Sequence, residues 1–573
     1  MKLDVHEQAA KLDPDIPFRA SPGHRGHTWA KTYYFFPELY IQPQSLPELR
    51  KVVKLASKCR RHISLIGCGH SPSDLICTSS WLVNIDHLEK VLSYDTNSNV
   101  VTVEAGIRLH QLGAELKKHG MAIQNLGSID NQSLAGAIST ATHGSSLKHG
   151  LLSKTVLGLK IMLADGTIKP CSKDENEDLF RAALVSLGAL GIIIEITFEA
   201  APHFNIEWDQ TLLPLNDIIT DWESTLWTSA EFTRVWWMPY MKKCVRWRAH
   251  KTTKPISRPS KSWIVAKLGF HTYQALLYLS LWFPSILPRL EQLVLTIQYG
   301  HHQDGARGSS GVEDGHTGLL MDCLFSQFVN EWAIPLSKGP EALTRLSAWL
   351  NGESGHGIPF SARGLYVHAP IEVRVSDTTI PSTSSSTNPR PFLDNSNPDG
   401  PTLYINATLY RPYHTDPSCK DRYYEAFEYL MKELGGRPHW AKNFSTLSME
   451  EMYGMYPELG KWVKVRNEVD PEGMFVGDWH GRFLLPGMGT ALAERVVGTK
   501  RRWWGWGGGM EWVGEVGGGH GGVGGGGGRG KTLSSRGSSE TFDMVSDADD
   551  EDDDEDDDGE GRGKIEMKVN DDD

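Results

Sequence analysis

The chain has 573 residues, of which 39% are apolar and 23% are charged. This composition is typical of a globular protein and excludes a fibrous one. The formal net charge of −13 comes from the C-terminal end, because 17 acidic and only 3 basic residues lie between Thr541 and Asp573. The seven cysteines are odd in number and show no CxxC spacing, which argues against a disulfide framework and a zinc ribbon.

Alternating helical and extended patterns predict a mixed α+β domain over about residues 46–200. Apolar residues at helical spacing predict helices over 46–61, 107–119 and 178–187. Short apolar runs predict strands over 63–66, 81–85, 100–103 and 192–198, and a hairpin that starts at 156 and turns at Asp165-Gly166.

Residues from about 206 onward are richer in Trp, Tyr and Pro and predict a second domain that ends near 486. Within it, the Ser, Thr, Pro and Asn residues of 376–401 predict a surface loop or insertion. Residues 487–573 are predicted to be disordered. They contain 16 glycines within 505–530 and an acidic run at 547–558, and neither composition can offset the entropy lost on ordering.

One segment of the second domain combines positive charge with apolar character. Residues 232–290 contain eleven Lys and Arg but no Asp or Glu, and they include an apolar stretch at 275–287 that Pro284 would interrupt. Two interpretations stay open: a core helix beside a solvated basic loop, or an interfacial hairpin whose cations meet anionic lipid headgroups. The second predicts membrane contact over 262–297. Nucleic acid is not an expected partner, since no nucleic-acid-binding motif accompanies the charge.

Two Gly-rich stretches are candidates for ligand binding. Gly67–Ser71 follows a predicted strand, and its glycines allow backbone N–H groups to form a nest for a pyrophosphate. Residues 125–129 lead into a predicted short helix at 133–144, whose small side chains would let a flat ligand or a phosphate approach closely. An ordinary Gly-rich turn and tight helix packing on a sheet explain the same residues if each stretch is taken alone.

Together these stretches resemble the aldonolactone oxidoreductases, which have a FAD-binding domain of the vanillyl-alcohol-oxidase (PCMH) type, and most closely the fungal oxidases of D-arabinono-1,4-lactone. The matching blocks, in the family's order, are GCGHSPSD (67–74), NLGSI (125–129), AGAISTATHG (135–144), GALGII (188–193), IEVR (371–374) and HWAK (439–442). The resemblance implies a lead-in at 1–30, a FAD-binding domain of two subdomains at 31–205, and a mixed α/β cap domain with an antiparallel sheet at 206–486.

The same resemblance implies that FAD is the cofactor and that His70 is joined covalently to its 8α-methyl carbon. The residues implied to bind the cofactor are Gly67, Cys68, Gly69, His70, Ser71, Gly127, Ser128, Ser139, Thr140, His143, Gly144, Gly191 and Ile192. A small residue at Gly127 would let oxygen reach the flavin, which favours an oxidase over a dehydrogenase. No metal site is expected.

Four residues of the second domain are implied to be catalytic. Glu372 and Arg374 are two apart on a predicted strand, so both side chains face one side of the sheet. Taken alone, they fit a solvated cross-strand ion pair equally well. The resemblance implies that Arg374 stabilises negative charge on the reduced flavin and that Glu372 orients the lactone hydroxyls or accepts a proton. His439 and Lys442 are implied to help bind the substrate by supplying positive charge.

The implied reaction is oxidation of a sugar 1,4-lactone, with D-arabinono-1,4-lactone as the expected substrate, by O2 to an erythroascorbate-type dehydro-lactone and hydrogen peroxide. Two alternatives are a dehydrogenase that uses a cytochrome or a quinone, and a membrane-bound scaffold without catalysis. The resemblance also implies a location at the mitochondrial membrane. The N-terminal residues show no cleavable targeting signal, because they lack an apolar stretch and contain early acidic residues.

Overall fold

The computed structural model describes residues 5–258, 263–300, 305, 307–321, 323, 325–380 and 389–485. All of them belong to one compact unit, Met1–Gly509. The tail predicted to be disordered, 487–573, lies outside the described residues. All seven cysteines lie inside them, and no disulfide joins any two of them there.

The first sheet positions the Gly67–Ser71 turn. Its strands, in spatial order, are Ala20–Ser21, Leu39–Ile41, Trp81–Asn84 and Ile63–Ile66. The last three are parallel, and such a pairing needs a crossover connection, which helix Leu46–Cys59 supplies. This helix begins where the Ser45 side chain accepts a hydrogen bond from the Glu48 N–H, and it ends at Arg60 in the left-handed region. The predicted strand 63–66 is confirmed, and the glycine turn follows it directly.

The second sheet holds the other half of the first domain. Its five antiparallel strands are ordered Ile168–Ser172, Val156–Met162, Ile192–Glu199, Val100–Glu104 and Val91–Asp95. The predicted hairpin is confirmed, with Met162 paired to Ile168 across a turn that contains Gly166 at φ +80°. The helices of this region are Leu109–Lys118, Leu134–Ser139 and Glu177–Ala183.

The third sheet dominates the second domain and is antiparallel throughout. Its eight strands are ordered Arg307–Asp314, Asn205–Pro214, Lys243–Thr252, Phe232–Met238, Ile371–Ser376, Thr402–Tyr410, Gln327–Pro335 and Arg437–Pro438. Across four neighbouring strands, Trp236, Glu372, Asn406 and Glu331 stand directly opposite one another. A row of polar side chains therefore crosses the middle of this sheet.

Helices and short ribbons complete the described structure. The remaining α-helices are Val5–Lys11, Leu215–Thr220, Trp263–Ser280, Leu287–Tyr299, Gly315–Leu319, Gly339–Leu350, Lys420–Glu433, Met449–Met455, Leu459–Val469 and Asp478–Phe483. Two-stranded ribbons pair Gly26–His27 with Tyr34–Phe35 and Met121–Ala122 with Ala201–Pro202. One large apolar core runs through both domains.

The predicted surface loop at 376–401 is wrong for part of its length. Ser376 ends a buried strand, and Phe392, Leu393 and Ser396 are also buried. The backbone carbonyl of Leu393 accepts a hydrogen bond from Trp440 Nε1 at 2.7 Å. The polar composition predicted a surface position, but polar groups of this stretch form hydrogen bonds inside the protein, as buried polar atoms generally do. Residues 381–388 of this stretch lie outside the described residues.

The positive charge of residues 232–290 is offset in space by acids from elsewhere in the chain. Ion pairs in the described part of this segment include Lys242–Glu353, Arg248–Asp209, Lys251–Glu231, Lys254–Glu207 and Arg258–Glu313. Neighbouring strands supply most of these acids, which the linear sequence could not reveal.

The apolar stretch at 275–287 covers the end of helix Trp263–Ser280, the connection that follows it and the first residue of helix Leu287–Tyr299. We call these two helices and their connection the helical pair. The connection between them is strongly exposed, with Trp282 at 72% and Phe283 at 60%. Within the part of the chain that the structure describes, no helix combines the length and the apolar character needed to cross a bilayer.

Candidate active site

A groove in the first domain brings together most of the predicted cofactor residues. Most of its lining comes from three places in the chain: the turn after strand Ile63–Ile66, the short helix Leu134–Ser139, and the bend before strand Ile192–Glu199, while Ile85, Phe475 and His480 add to the wall. The predicted residues that line it are Gly67, Cys68, Gly69, His70, Ser71, Ser139, Thr140, Gly191 and Ile192.

Two of these glycines are required by close packing. A Cβ atom on Gly67 would lie 2.5 Å from Ser133 Oγ, at the start of the short helix. Gly191 has φ +134°, and a Cβ there would lie 2.6 Å from the carbonyl oxygen of Met162. Only glycine fits such contacts, so these two turns pack closely against the short helix and the neighbouring strand.

A second cavity of about 940 Å³ lies against the face of the eight-stranded sheet and shares His70 and Gln132 with the groove. The His70 ring lies 5.3 Å from the ring of Trp29, and its Nδ1 is buried without a hydrogen-bond partner among the described residues. Burial lowers the pKa of His70 to about 4. His70 is therefore neutral at physiological pH, and it stands where groove and cavity meet.

Gly127, Ser128 and His143 line this second cavity, but Gly144 does not appear in its wall. A Cβ on Gly144 would lie 2.1 Å from Oδ1 of Asn125, so this glycine serves packing against that side chain. At Gly127 a Cβ would lie 3.2 Å from Thr142 Cγ2, which a small shift could accommodate.

Glu372 and Arg374 both line the cavity, as their spacing on one strand predicted. Arg374 Nε lies 3.4 Å from Glu372 Oε2, and Arg374 Nη2 lies 2.5 Å from Glu331 Oε1. Burial alone would lower the pKa of Arg374, but the charges of Glu331 and Glu372 outweigh it and raise this pKa. The guanidinium is thus a permanent positive charge in the wall.

Glu331 is the residue that sequence reasoning missed. Its side chain is fully buried, and its carboxylate also lies 3.1 Å from His143 Nε2 and 3.6 Å from Lys442 Nζ. Burial alone would raise the pKa of Glu331, but the charges of Arg374 and Lys442 outweigh it and hold this pKa well below its usual range. The sequence could have indicated Glu331, because it is one acid inside the largely apolar strand Gln327–Pro335. A buried acid needs charged or hydrogen-bonding partners.

His439 lines the cavity but is not a second cation. It is buried, and its Nδ1 accepts a hydrogen bond from the Ala441 N–H at 3.2 Å. Burial lowers the pKa of His439 well below its usual range, so the ring is neutral. The positive charge that the family resemblance implied at this position is therefore supplied by Lys442 alone.

Ligand atoms of His143, Glu331 and His439 all lie within 4.8 Å of one another, a spacing compatible with a metal ion. Glu331, however, already contacts Arg374 and Lys442. Their positive charges disfavour a metal cation at this position.

The residues that are present fit FAD. The groove is lined by glycines, whose missing side chains leave room for a ligand. Where the groove joins the cavity lie two buried polar atoms that have no partner among the described residues, His70 Nδ1 and Gln132 Oε1. A dinucleotide could occupy the groove and place its flat ring in the cavity, opposite the sheet that carries Arg374.

Comparison with known families agrees with this geometry. Residues 37–172 match the FAD binding domain family, and residues 196–483 match the D-arabinono-1,4-lactone oxidase family. A protein of Neurospora crassa is 50% identical over 84% of this chain and 90% of its own length. The D-arabinono-1,4-lactone oxidase of Yarrowia lipolytica is 41% identical over 79% of this chain and 95% of its own. That of Saccharomyces cerevisiae is 39% identical over 81% and 96%.

Solved structures show the same fold at low sequence identity. Cholesterol oxidase from Brevibacterium sterolicum superimposes with a TM-score of 0.65 at 15% identity, covering 82% of this chain and 98% of that one. The glucooligosaccharide oxidase of Acremonium strictum, which carries a 6-S-cysteinyl, 8α-N1-histidyl FAD, gives a TM-score of 0.57 at 16% identity over 82% and 98%. These likenesses confirm the predicted fold class. The predicted boundaries at 30, 205 and 486 stay predictions.

Proposed function

Because the chain belongs to the D-arabinono-1,4-lactone oxidase family, we propose that it uses FAD to oxidise a sugar 1,4-lactone, with D-arabinono-1,4-lactone as the preferred substrate and O2 as the acceptor. The observation that carries the proposal is the ion pair between buried Arg374 and partly buried Glu372, which faces a cavity that His70 also lines. A scaffold without catalysis would have no need for charged side chains buried at the wall of a cavity, because burying charge costs stability.

The side chains divide the chemical tasks. FAD, when bound, accepts a hydride from the substrate carbon that bears the hydroxyl and passes the two electrons to O2, which becomes hydrogen peroxide. Arg374 supplies fixed positive charge where negative charge develops during the transfer. Glu372 accepts the proton of the substrate hydroxyl, and Lys442 binds the lactone oxygens at the cavity wall.

An anaerobic titration tests this function. D-arabinono-1,4-lactone added to the purified yellow protein should bleach the visible flavin absorption, and readmitted air should restore it with one equivalent of hydrogen peroxide per turnover. Failure of all sugar lactones to bleach the flavin would contradict lactone oxidation. Bleaching that air does not reverse, but cytochrome c or a quinone does, would instead identify a dehydrogenase.

We predict that FAD is attached covalently to His70. The support is a neutral imidazole whose Nδ1 is buried and has no hydrogen-bond partner in the described part of the chain. After acid precipitation, wild-type protein should keep its yellow colour in the pellet, whereas His70→Ala should release all of it to the supernatant. His87→Ala removes an exposed histidine of the same domain and should behave as wild type. Retention of the colour by His70→Ala would assign the attachment to another residue.

We predict that Gly127→Ala slows reoxidation by O2 about tenfold, which corresponds to roughly 1.4 kcal/mol in the activation free energy. The added methyl group fits with a small shift of Thr142 and extends into the cavity where oxygen must approach. Stopped-flow reduction by lactone under argon serves as the internal control and should not change. Equal reoxidation rates in the two proteins would refute an oxygen gate at this position.

We further propose that the helical pair contacts a membrane surface. The proposal rests on the exposed apolar side chains Leu279, Trp282 and Phe283. Trp side chains in particular favour the membrane interface. Because at least five of the eleven cations of residues 232–290 are already paired with acids, attraction to anionic headgroups should contribute less than the total positive charge suggests. The mitochondrial location that the family resemblance implies stays a prediction.

We predict that the double variant Trp282→Ser/Phe283→Ser binds phosphatidylcholine vesicles about 30-fold more weakly, from a loss of roughly 2 kcal/mol of apolar burial. Co-sedimentation with vesicles measures the bound fraction. The matched control is Phe36→Ser/Leu92→Ser, which removes two exposed apolar residues from the first domain and should bind as wild type. If both double variants bind equally, the helical pair is not the contact surface.

A further inference from the structure

Part of the large cavity lies away from the charged residues, between the helical pair and the sheet. In the sheet, Trp236 is opposite Glu372, and Met238 lies beyond this pair on the side away from Arg374. Helix Leu287–Tyr299 contributes the facing wall. We call this part the vestibule and define it by the lining residues Met238, Val245, Leu276, Leu290, Glu291 and Val294.

The vestibule is chemically unsuited to the lactone. Five of its six defining side chains are apolar, so sugar hydroxyls placed among them would lose hydrogen bonds to water, although Gln210, Tyr273 and Tyr299 line other parts of the same cavity. The cavity of about 940 Å³ is near the upper end of the range for ligand pockets. A flavin ring and a lactone beside Arg374 would occupy one part of it, and the vestibule is the part beyond Glu372. The vestibule is thus available to a different, less polar molecule.

Glu291 is the exception in this apolar wall. Its side chain is only 5% exposed, and its Oε1 accepts a hydrogen bond from the Met241 N–H at 2.6 Å. Its Oε2 is buried and has no partner among the described residues. A buried carboxyl oxygen at a cavity wall, left without a protein partner, indicates a position where a ligand atom would complete the hydrogen bonding.

Burial keeps the Glu291 carboxyl uncharged at neutral pH. The titratable side chains that face it in the described structure are Tyr240, Cys244 and Tyr273, and burial raises the pKa of each of them. Burial likewise raises the pKa of Glu291 to about 8, although the N–H groups of Met241 and Tyr240 act in the opposite direction. At neutral pH the carboxyl therefore holds its proton and can both donate and accept a hydrogen bond.

The cavity also has an apolar opening on the outside of the helical pair. Leu268, Leu293 and Ile297 line the cavity and are 68%, 45% and 74% exposed. A hydrocarbon chain could enter between them without crossing the charged part of the active site.

From these observations we propose that the vestibule is a second binding site, which takes a neutral amphiphile: a hydrocarbon chain that lies among Met238, Leu290 and Val294 and ends in a hydroxyl or carbonyl group hydrogen-bonded to Glu291. The site goes beyond the proposed function, because no step of lactone oxidation uses it. The same chemistry is available from an amphiphile dissolved in water and from one held in a bilayer.

The first test is isothermal titration of the holoprotein with 1-decanol at pH 7. We expect one saturable site and at least tenfold weaker binding of decanoate, whose negative charge would have to be buried. Val294→Trp, which fills the vestibule with a large side chain, should abolish decanol binding. Leu293→Gln at the opening should weaken it severalfold, whereas Leu279→Gln, equally exposed at 45% but outside the cavity wall, should not.

A pH series tests the role of Glu291. Wild-type affinity for decanol should fall severalfold between pH 7 and pH 9.5, as the carboxyl loses its proton, whereas Glu291→Gln should bind decanol at every pH with no such fall. No saturable binding, equal binding by Val294→Trp, or the same pH response in Glu291→Gln would overturn the proposal. Monodecanoylglycerol, offered either dissolved or in phosphatidylcholine vesicles, then distinguishes the two sources. Binding from either source supports the site, and binding from neither contradicts it.

Discussion

Arg374→Met should lower kcat/KM for the lactone by about 10³-fold and the free energy of unfolding by about 3–5 kcal/mol. The two losses have different origins. Catalysis loses the fixed positive charge that faces the reacting atoms. Stability falls because Glu331, fully buried, keeps only Lys442 at 3.6 Å as a charged partner once the closer contact from Arg374 is gone.

A double variant separates these origins. Arg374→Met/Glu331→Gln removes both buried charges. It should recover most of the unfolding free energy that Arg374→Met loses, because no buried carboxylate is left without its charged partner. It should not recover turnover. Urea denaturation of the holoprotein measures stability, and steady-state kinetics with equal flavin content measure catalysis. If the double variant regains wild-type kcat/KM, the positive charge of Arg374 is not needed for the reaction and its role is structural.

The sequence was most informative where local pattern and chemistry coincide. Strand alternation was enough to place Glu372 and Arg374 on one face, and the glycines after strand Ile63–Ile66 marked the turn at the groove. Family resemblance then supplied what pattern alone could not, namely the roles of His70 and Gly127. Those roles stay predictions until the variants are measured.

Contacts between distant segments were beyond the reach of the sequence. Glu331 lies 43 positions from Arg374 in the chain, and its importance follows only from the pairing of their strands with Thr402–Tyr410. For the same reason the cations of residues 232–290 suggested an unpaired basic surface, although acids such as Asp209 and Glu353 lie beside them. Periodicity reports which face a side chain occupies, but not which residue of another strand meets it there.

Glu372→Gln is the second variant with a large expected effect: the rate of flavin reduction by lactone should fall about 10²–10⁴-fold. The amide has nearly the same shape but cannot accept the hydroxyl proton. Stability should change little, because the carboxylate faces the cavity and Arg374 keeps its closer contact with Glu331. Anaerobic stopped-flow spectroscopy measures the reduction rate directly.

The kinetic pattern distinguishes the two roles open to Glu372. Loss of a base lowers the limiting reduction rate with little change in the lactone Kd, whereas loss of an orienting contact mainly raises the Kd. Thr408→Val provides the control, since Thr408 lines the same cavity two residues beyond Asn406, which lies opposite Glu372 on the neighbouring strand. A limiting reduction rate in Glu372→Gln within threefold of wild type would exclude proton transfer to Glu372. If the lactone Kd of this variant is also raised, Glu372 orients the lactone hydroxyls instead.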